Sequence, residues 1–137
     1  MPQTGRGALS DRPDAELRLP AEGAYVSVLR TTAAGLAARL DFTLEDVEDL
    51  RMAVGEAAAI VLETASPATE LRARFWLGGR TMTVTVDAPS DGTATIDVDS
   101  FAWQVLTSLA TSARVSGRDE RLAITVALDA APLEAAR

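Results

Sequence analysis

Glu56 is the residue of this sequence most able to do chemistry, because it is a carboxylate within an otherwise small and apolar segment, MAVGEAAAIVLETA at residues 52–65. Such a carboxylate either faces water on an ordinary helix or points into a site as a general base. Three other acidic residues fall on the same helical stripe, which favours the first interpretation: Glu45, Asp49 and Glu63. The choice depends on the elements that position Glu56.

The composition excludes several classes of site. The chain has no Cys and no His, which excludes thiol nucleophiles, disulfides, histidine bases and most zinc sites. All 13 basic residues are Arg, and the net charge of −7 disfavours nucleic acid as a ligand but suits a basic protein partner. No apolar run approaches the roughly 20 residues of a membrane span, and the polar N-terminus lacks the apolar region of a signal peptide. These features predict a cytoplasmic protein without membrane contact.

The first half of the chain predicts a strand and two helices. Residues 16–19 alternate as a short strand does, and Pro20 ends it. From 24 to 40, one helical stripe collects the larger side chains: Tyr25, Val28, Leu29, Leu36 and Leu40. Thr43 is typical of an N-cap, and the helix that it begins is predicted to reach about residue 65, with Leu44 on its apolar face.

The second half changes to a period of two. Residues 71–77 predict a strand with Arg72, Arg74 and Trp76 facing outward, followed by a turn at Gly78-Gly79 and a returning strand at 82–86. A turn-rich segment at 87–99, a helix at 101–112 and a strand at 122–128 complete the order.

This order predicts an α/β (α+β) two-layer sandwich, in which helices cover one face of a mixed sheet. Residues 1–15 are predicted to be a flexible arm, 16–129 a single domain and 130–137 a loose tail.

From residue 17 to residue 128 the chain resembles the anti-sigma-factor serine kinases of the RsbW type, which have the histidine-kinase-like ATPase (Bergerat-type) fold. The resemblance is carried by LRLPAEGAYVSVLRTTAAGLAARLDFTLEDVEDLRMAVGEA at 17–57 and by FAWQVLTSLATSARV at 101–115, the second mainly typical of actinobacterial members. It implies a protein that binds an alternative sigma factor and is displaced by an anti-anti-sigma factor of the STAS type. Active members also phosphorylate that antagonist on Ser or Thr with ATP and magnesium.

The nucleotide motifs of that family are only half present. In its helix motif, Glu-Ala-x-x-Asn, the Glu acts as base or positions the accepting hydroxyl and the Asn ligates magnesium; here Glu56 matches the Glu, but Ile60 stands at the Asn. An alkyl side chain cannot coordinate a cation that requires oxygen ligands. In the adenine motif, Asp-x-Gly-x-Gly, Asp87 matches, but Pro89 and Asp91 replace the glycines that let the backbone approach a nucleotide.

The glycine-rich phosphate cradle of the family is replaced as well. Its place is taken by Ser-Phe-Ala-Trp at 100–103, and the segment 91–99 is too short for a long lid. Glu56 is therefore expected to be a remnant base and Asp87 a remnant adenine contact, with no cofactor. ATP and magnesium enter only if the altered site still binds them.

Arg30 is the residue that the resemblance marks for partner binding, since the family carries a first-helix Arg there that holds both the sigma factor and its antagonist. Glu22 and Tyr25 are expected to flank this contact. The alternative for Arg30 is an ordinary exposed helix arginine.

The sequence thus favours an anti-sigma factor that acts by sequestration and is released by partner exchange. Two alternatives stay open: an active serine kinase with Glu56 as base, and a homodimeric regulatory domain with a repurposed cleft. Related proteins often dimerise through the first strand and the sheet edge. An open polar cleft between Glu56 and Asp87 would favour the kinase, whereas a cleft filled by Ile60, Met52 or Trp103 would favour the binding protein.

Overall fold

A computed structural model describes residues 12–91 and 95–132 of the chain. Residues 1–11 of the predicted arm (1–15) and residues 133–137 of the predicted tail (130–137) lie outside the described ranges. The described residues form five strands and three helices, with one turn of 3₁₀-helix on each side of the first helix (Gly23–Tyr25 and Ala38–Leu40). In chain order the elements are β1 (Ala15–Pro20), α1 (Val26–Ala37), α2 (Leu44–Glu63), β2 (Glu70–Gly78), β3 (Thr81–Pro89), α3 (Phe101–Leu109), β4 (Ser112–Arg118) and β5 (Arg121–Asp129).

The strands form one sheet in the order β1-β2-β3-β5-β4, and the predicted two-layer sandwich is confirmed. The prediction of a mixed sheet is wrong, because every pair of neighbouring strands in the described residues is antiparallel. The helices α1 and α2 connect β1 to β2, and β2 begins beside the end of β1, where Glu70 pairs with Pro20. The strands β3 and β4 run in the same direction, but β5 lies between them.

Strand β4 was not predicted from the sequence, and α3 ends at Leu109 rather than at residue 112. The strand lies at the edge of the sheet, and almost all of its residues are exposed. Even the apolar residue Val115 is 38% exposed. An exposed edge strand does not need the apolar alternation that identifies a half-buried one. Its place in the sheet follows from pairing with β5, which the local pattern does not encode.

The hairpin between β2 and β3 is confirmed, but its turn lies one residue later than predicted. Gly78 still pairs with Thr81, so the two turn residues are Gly79 and Arg80. Gly79 has a φ of 58°, in the left-handed region that glycine enters without a steric penalty.

The core lies between the helix layer and one face of the sheet. Alternate residues of β2, β3 and β5 are fully buried there, among them Phe75, Val84 and Ile124. Helix α2 lies at the centre of this layer and contacts α1, α3 and the sheet. None of the described helices has the length and apolar character needed to cross a membrane.

Two predicted apolar stripes need correction. Tyr25 and Val28 are exposed, and α1 is instead buried through Leu29, Ala33 and Ala37. Tyr25 belongs to a 3₁₀ turn, whose spacing of about 120° per residue moves it off the α-helical stripe. Leu44, the first residue of α2, is 80% exposed.

The predicted N-cap of α2 is confirmed as a capping box. Thr43 Oγ1 accepts a hydrogen bond from the Asp46 backbone N–H at 3.0 Å, and the Asp46 carboxylate accepts one from the Thr43 N–H at 3.0 Å. The same carboxylate oxygen accepts a bond from the Ala131 N–H at 3.1 Å, which ties the chain after β5 to the start of α2. Partial burial raises the pKa of Asp46, but the bonds from Thr43 and Ala131 outweigh it and hold the pKa below its ordinary value.

The capping box predicts a pH-dependent loss of stability in Asp46→Asn. Because the folded-state pKa is lowered, the ionised carboxylate contributes stability above the unfolded pKa of about 3.9, and this contribution is lost as the pH falls through the folded value. At pH 7 the substitution is expected to lower the free energy of unfolding by about 0.5 kcal/mol. Urea unfolding at pH 7 and pH 3 should show this difference shrinking at the lower pH.

Glu45→Gln is the control, because it removes a carboxylate from the same turn and leaves the capping box intact. It should cost less than Asp46→Asn at pH 7. An equal loss in both variants would assign the effect to helix charge alone.

Candidate functional site

An open groove of about 750 Å³ lies at the surface between α1 and α2. Its charged lining carries both signs: two arginines, Arg30 and Arg51, and three glutamates, Glu48, Glu56 and Glu63. Apolar side chains complete the lining, namely Val26, Met52 and Leu62 with Ala59. The size falls within the range of about 300–1,000 Å³ that is usual for binding pockets.

Arg30 reaches the groove by lying across Gly55 of α2. A Cβ atom built at Gly55 would come within 3.0 Å of Arg30 Nη1 and within 3.2 Å of its Cδ. The missing side chain at Gly55 therefore makes the space in which the arginine lies. Sequence analysis missed this role, although a glycine in the interior of a helix is itself a signal of close approach.

Glu56 is half-buried and lines the same groove. The structure thus brings together two residues that the resemblance placed in different roles, Arg30 for a partner and Glu56 for catalysis. Glu22 and Tyr25 lie on either side of Gly23, which lines the groove at the start of α1. The roles predicted for these four residues remain predictions.

Ile60, one turn after Glu56, does not line this groove. It is buried and belongs to the hydrophobic core. On this side of α2, the described residues leave a cavity of about 70 Å³, lined by Ile60, Glu63, Thr64, Thr95, Ile96, Asp97, Ser100 and Ala102. That volume is several times smaller than a typical ligand pocket.

The start of α3, where the family places its phosphate cradle, carries a side-chain N-cap. Ser100 Oγ accepts a hydrogen bond from the Trp103 backbone N–H at 3.1 Å, as an N-cap does. Trp103 is partly buried and packs against the core, whereas Phe101 is 83% exposed. Of the three side chains expected to fill the cleft, Ile60 and Trp103 pack inward and Met52 is exposed.

The position of the magnesium ligand in the family motif is occupied by a buried alkyl side chain. Ile60 offers no oxygen ligand, and no group of three acidic residues in the described ranges is arranged to hold a metal ion. Between α2 and α3 the described residues leave the 70 Å³ cavity, and α3 begins at the Ser100 cap, so the absence of a bound nucleotide stays a prediction.

Asp87 lies on the opposite face of the sheet from α2. Val86 and Ala88, its neighbours on β3, point into the core, so Asp87 points away from the helices. Only 1% exposed, its carboxylate accepts hydrogen bonds from Arg72 Nε at 3.2 Å, from Arg74 Nη2 at 3.3 Å and from Arg121 Nε at 3.0 Å. The structure therefore does not bring Asp87 and Glu56 into one cleft, and the adenine contact predicted for Asp87 stays a prediction.

Sequence analysis missed this arginine cluster, although one signal was present. Met82, Val84 and Val86 form the inward-facing set of β3. Asp87 directly follows Val86, so it belongs to the outward-facing set. The predicted outward direction of Arg72, Arg74 and Trp76 agrees with the strand register. Arg74 also lies over the Trp76 ring, 5.7 Å from its centroid.

Comparison with known proteins gives a partial similarity. No protein-family model matches the chain. Over 50 residues, which are 36% of the chain, it is 42% identical to the protein named Serine-protein kinase RsbW of Bacillus velezensis. It is 38% identical over 50 residues to proteins of the same name from Bacillus thuringiensis and Bacillus cereus. The matched stretch covers 31% of the length of each of these relatives, so the chain is RsbW-like over about a third of its length.

The packing of Arg30 over Gly55 predicts unequal effects of two glycine substitutions. Gly35→Ala, where a Cβ would meet nothing within 4 Å, should raise the free energy of unfolding by about 0.5–1 kcal/mol, because alanine is the better helix former. Gly55→Ala should raise it by less, because the new methyl group displaces Arg30. Urea unfolding measures both.

In a chain that already carries Arg30→Ala, Gly55→Ala should recover the full gain seen at Gly35. The same small gain in both backgrounds would contradict the proposed close packing of Arg30 on Gly55.

Proposed function

We propose that this chain is an RsbW-like anti-sigma factor that binds and sequesters an alternative sigma factor in the cytoplasm. An anti-anti-sigma protein of the STAS type then releases the sigma factor by competing for the same surface, without phosphorylation. The groove between α1 and α2 carries the proposal, because it holds the predicted partner residue Arg30 beside Glu56 at the surface. A role in a stress response of an actinobacterium is the setting that fits this proposal.

The chemistry of the groove supports a protein ligand. Arginine, methionine and tyrosine are enriched at the centres of protein interfaces, and Arg30, Met52 and Tyr25 lie in or beside the groove. Tyr25 and Val28 add exposed apolar surface on α1. Acidic residues of α2 surround this apolar surface, which suits a basic, DNA-binding partner such as a sigma factor.

Release by partner exchange follows from the altered nucleotide site. Phosphoryl transfer requires a metal ion held in a fixed position beside the transferred group, and Ile60 removes the ligand that the family uses. Competition between two proteins for one groove needs no metal and no nucleotide. The sequestering function can therefore persist where the kinase function is lost.

An active serine kinase is the second candidate, and one specific observation favours it. The relatives that match the chain are named serine-protein kinases, and Glu56 is retained at a position accessible from an open groove. In that case another carboxylate would hold the magnesium.

The sequestering function predicts a complex that depends on Arg30. The purified chain, mixed with each alternative sigma factor of its host, should form a complex on size exclusion with at least one of them. Arg30→Ala should weaken that complex about tenfold or more, as loss of a central interface arginine does. Calorimetry or surface plasmon resonance measures the change.

Arg39→Ala is the matched control, because Arg39 is exposed on the turn after α1 and does not line the groove. It should change the affinity by no more than about twofold. Failure of every sigma factor to bind, or equal losses for the two arginines, would rule out the proposed binding mode.

The two candidate functions differ in their response to ATP. A sequestering protein should bind ATP with magnesium no tighter than about 100 μM by calorimetry and should transfer no radiolabelled phosphate to a STAS protein. Transfer that is abolished by Glu56→Gln would establish the kinase instead. Binding of the sigma factor, tested in parallel, separates loss of the kinase from failure of the whole proposal.

A further inference from the structure

The charges of this chain are divided between its two layers. All charged residues of the strands lie on the face of the sheet away from the helices. They comprise six of the 13 arginines (Arg18, Arg72, Arg74, Arg114, Arg118 and Arg121) and four carboxylates (Glu16, Glu70, Asp87 and Asp129). This outer sheet face therefore has a formal charge of +2 in a chain whose total is −7.

The excess positive charge is concentrated around Asp87. Three arginines, Arg72, Arg74 and Arg121, donate to this one buried carboxylate, so the arginine cluster keeps two positive charges that Asp87 does not neutralise. Their side chains are between 26% and 36% exposed, which leaves part of each guanidinium group open to solvent. The Nε atom of Arg74 is buried and has no hydrogen-bond partner among the described residues.

The neighbouring strand adds positive charge at the same place. Arg118 of β4 pairs directly with Arg121 of β5, and like charges opposite each other in a sheet are destabilising. Arg18, opposite Arg72 on the other side, is instead paired with Glu16 at 2.8 Å. An anion beside Arg118 and Arg121 would lower the repulsion between these two guanidinium groups.

We propose that the arginine cluster binds a compact dianion of the phosphate type, either as free phosphate or as a phosphate monoester. The two guanidinium charges that Asp87 does not neutralise match the charge of such a group, and the planar fork of arginine donates two parallel hydrogen bonds to phosphate oxygens. Glu16 and Glu70 lie on β1 and β2 at one side of the cluster, and Asp119 and Glu120 form the turn between β4 and β5 at the other. This acidic rim repels an extended polyanion such as nucleic acid but leaves the centre open to a small anion.

The direct test is titration with inorganic phosphate at constant ionic strength, followed through the NMR signals of the arginine Nε–H groups. The signals of Arg72, Arg74 and Arg121 should shift together and saturate, while that of Arg39, on the helix layer, should not move. Uniform small shifts of all arginines would overturn the proposal, because they would report only general screening.

Two variants distinguish binding from a merely structural role of the cluster. Arg74→Gln leaves Asp87 with two arginine partners and should weaken phosphate binding roughly tenfold. Asp87→Asn removes the internal anion, so it should lower the melting temperature, and added phosphate should restore part of that loss. A larger rise in melting temperature with phosphate for Asp87→Asn than for the unmodified chain supports the site, whereas no rise in either overturns it.

Phenyl phosphate separates the two sources of the anion. Equal affinities for it and for inorganic phosphate assign the site to the phosphate group alone, and tighter binding of phenyl phosphate assigns it to an ester whose organic part reaches past Arg74 towards Trp76. Arg39→Gln is the matched control and should leave both affinities unchanged. A dimer that dissociates in Arg74→Gln without any effect of phosphate would make this face a contact between copies and would overturn the proposal.

The inference does not depend on the proposed anti-sigma function, because the arginine cluster and the α1–α2 groove lie on opposite layers of the fold. A chain that binds phosphate but no sigma factor would leave this site intact and refute only the groove.

Discussion

The packing of α2 against α1 and the sheet at once is the constraint on which the rest of this structure depends. The helix is buried on a broad face, and several positions there are as small as alanine, among them Ala53, Ala57 and Ala58. Small side chains let helix and sheet backbones approach closely, while Leu50 and Val54 supply apolar burial worth about 1.5–3 kcal/mol each. Larger residues at the alanine positions would force the layers apart.

The same helix separates the two halves of the altered family motif. Glu56 lies in the surface groove that α2 forms with α1, whereas Ile60 packs into the core one turn later. A helix can keep its place in a protein interface when an inward-facing polar residue becomes apolar, because the interface uses its outer side. A metal site that used this residue would lose a ligand oxygen by the same change. This asymmetry is why we propose sequestration rather than phosphoryl transfer.

Although the total charge of the chain is −7, its two layers carry charges of opposite sign. The three helices and the two 3₁₀ turns carry three arginines and six carboxylates, whereas the strands carry six arginines and four carboxylates. At physiological ionic strength, charges are screened over about 8 Å, so a ligand on one layer responds mainly to that layer. Net charge alone is therefore a poor guide to which partners each face of this protein can take.

Local sequence determined the elements that bury one face. Three sequence patterns predict their elements: the Thr43 cap, the long apolar pattern of α2 and the alternation of β2, β3 and β5. A helix or strand turns by a fixed angle per residue, so the spacing of apolar residues identifies the side that is buried. Tertiary structure alone decided which distant residues meet: β4 beside β5, Arg30 over Gly55, and three arginines around Asp87. These contacts depend on strand register and on the distance between layers, which are set by the packing of segments far apart in the chain.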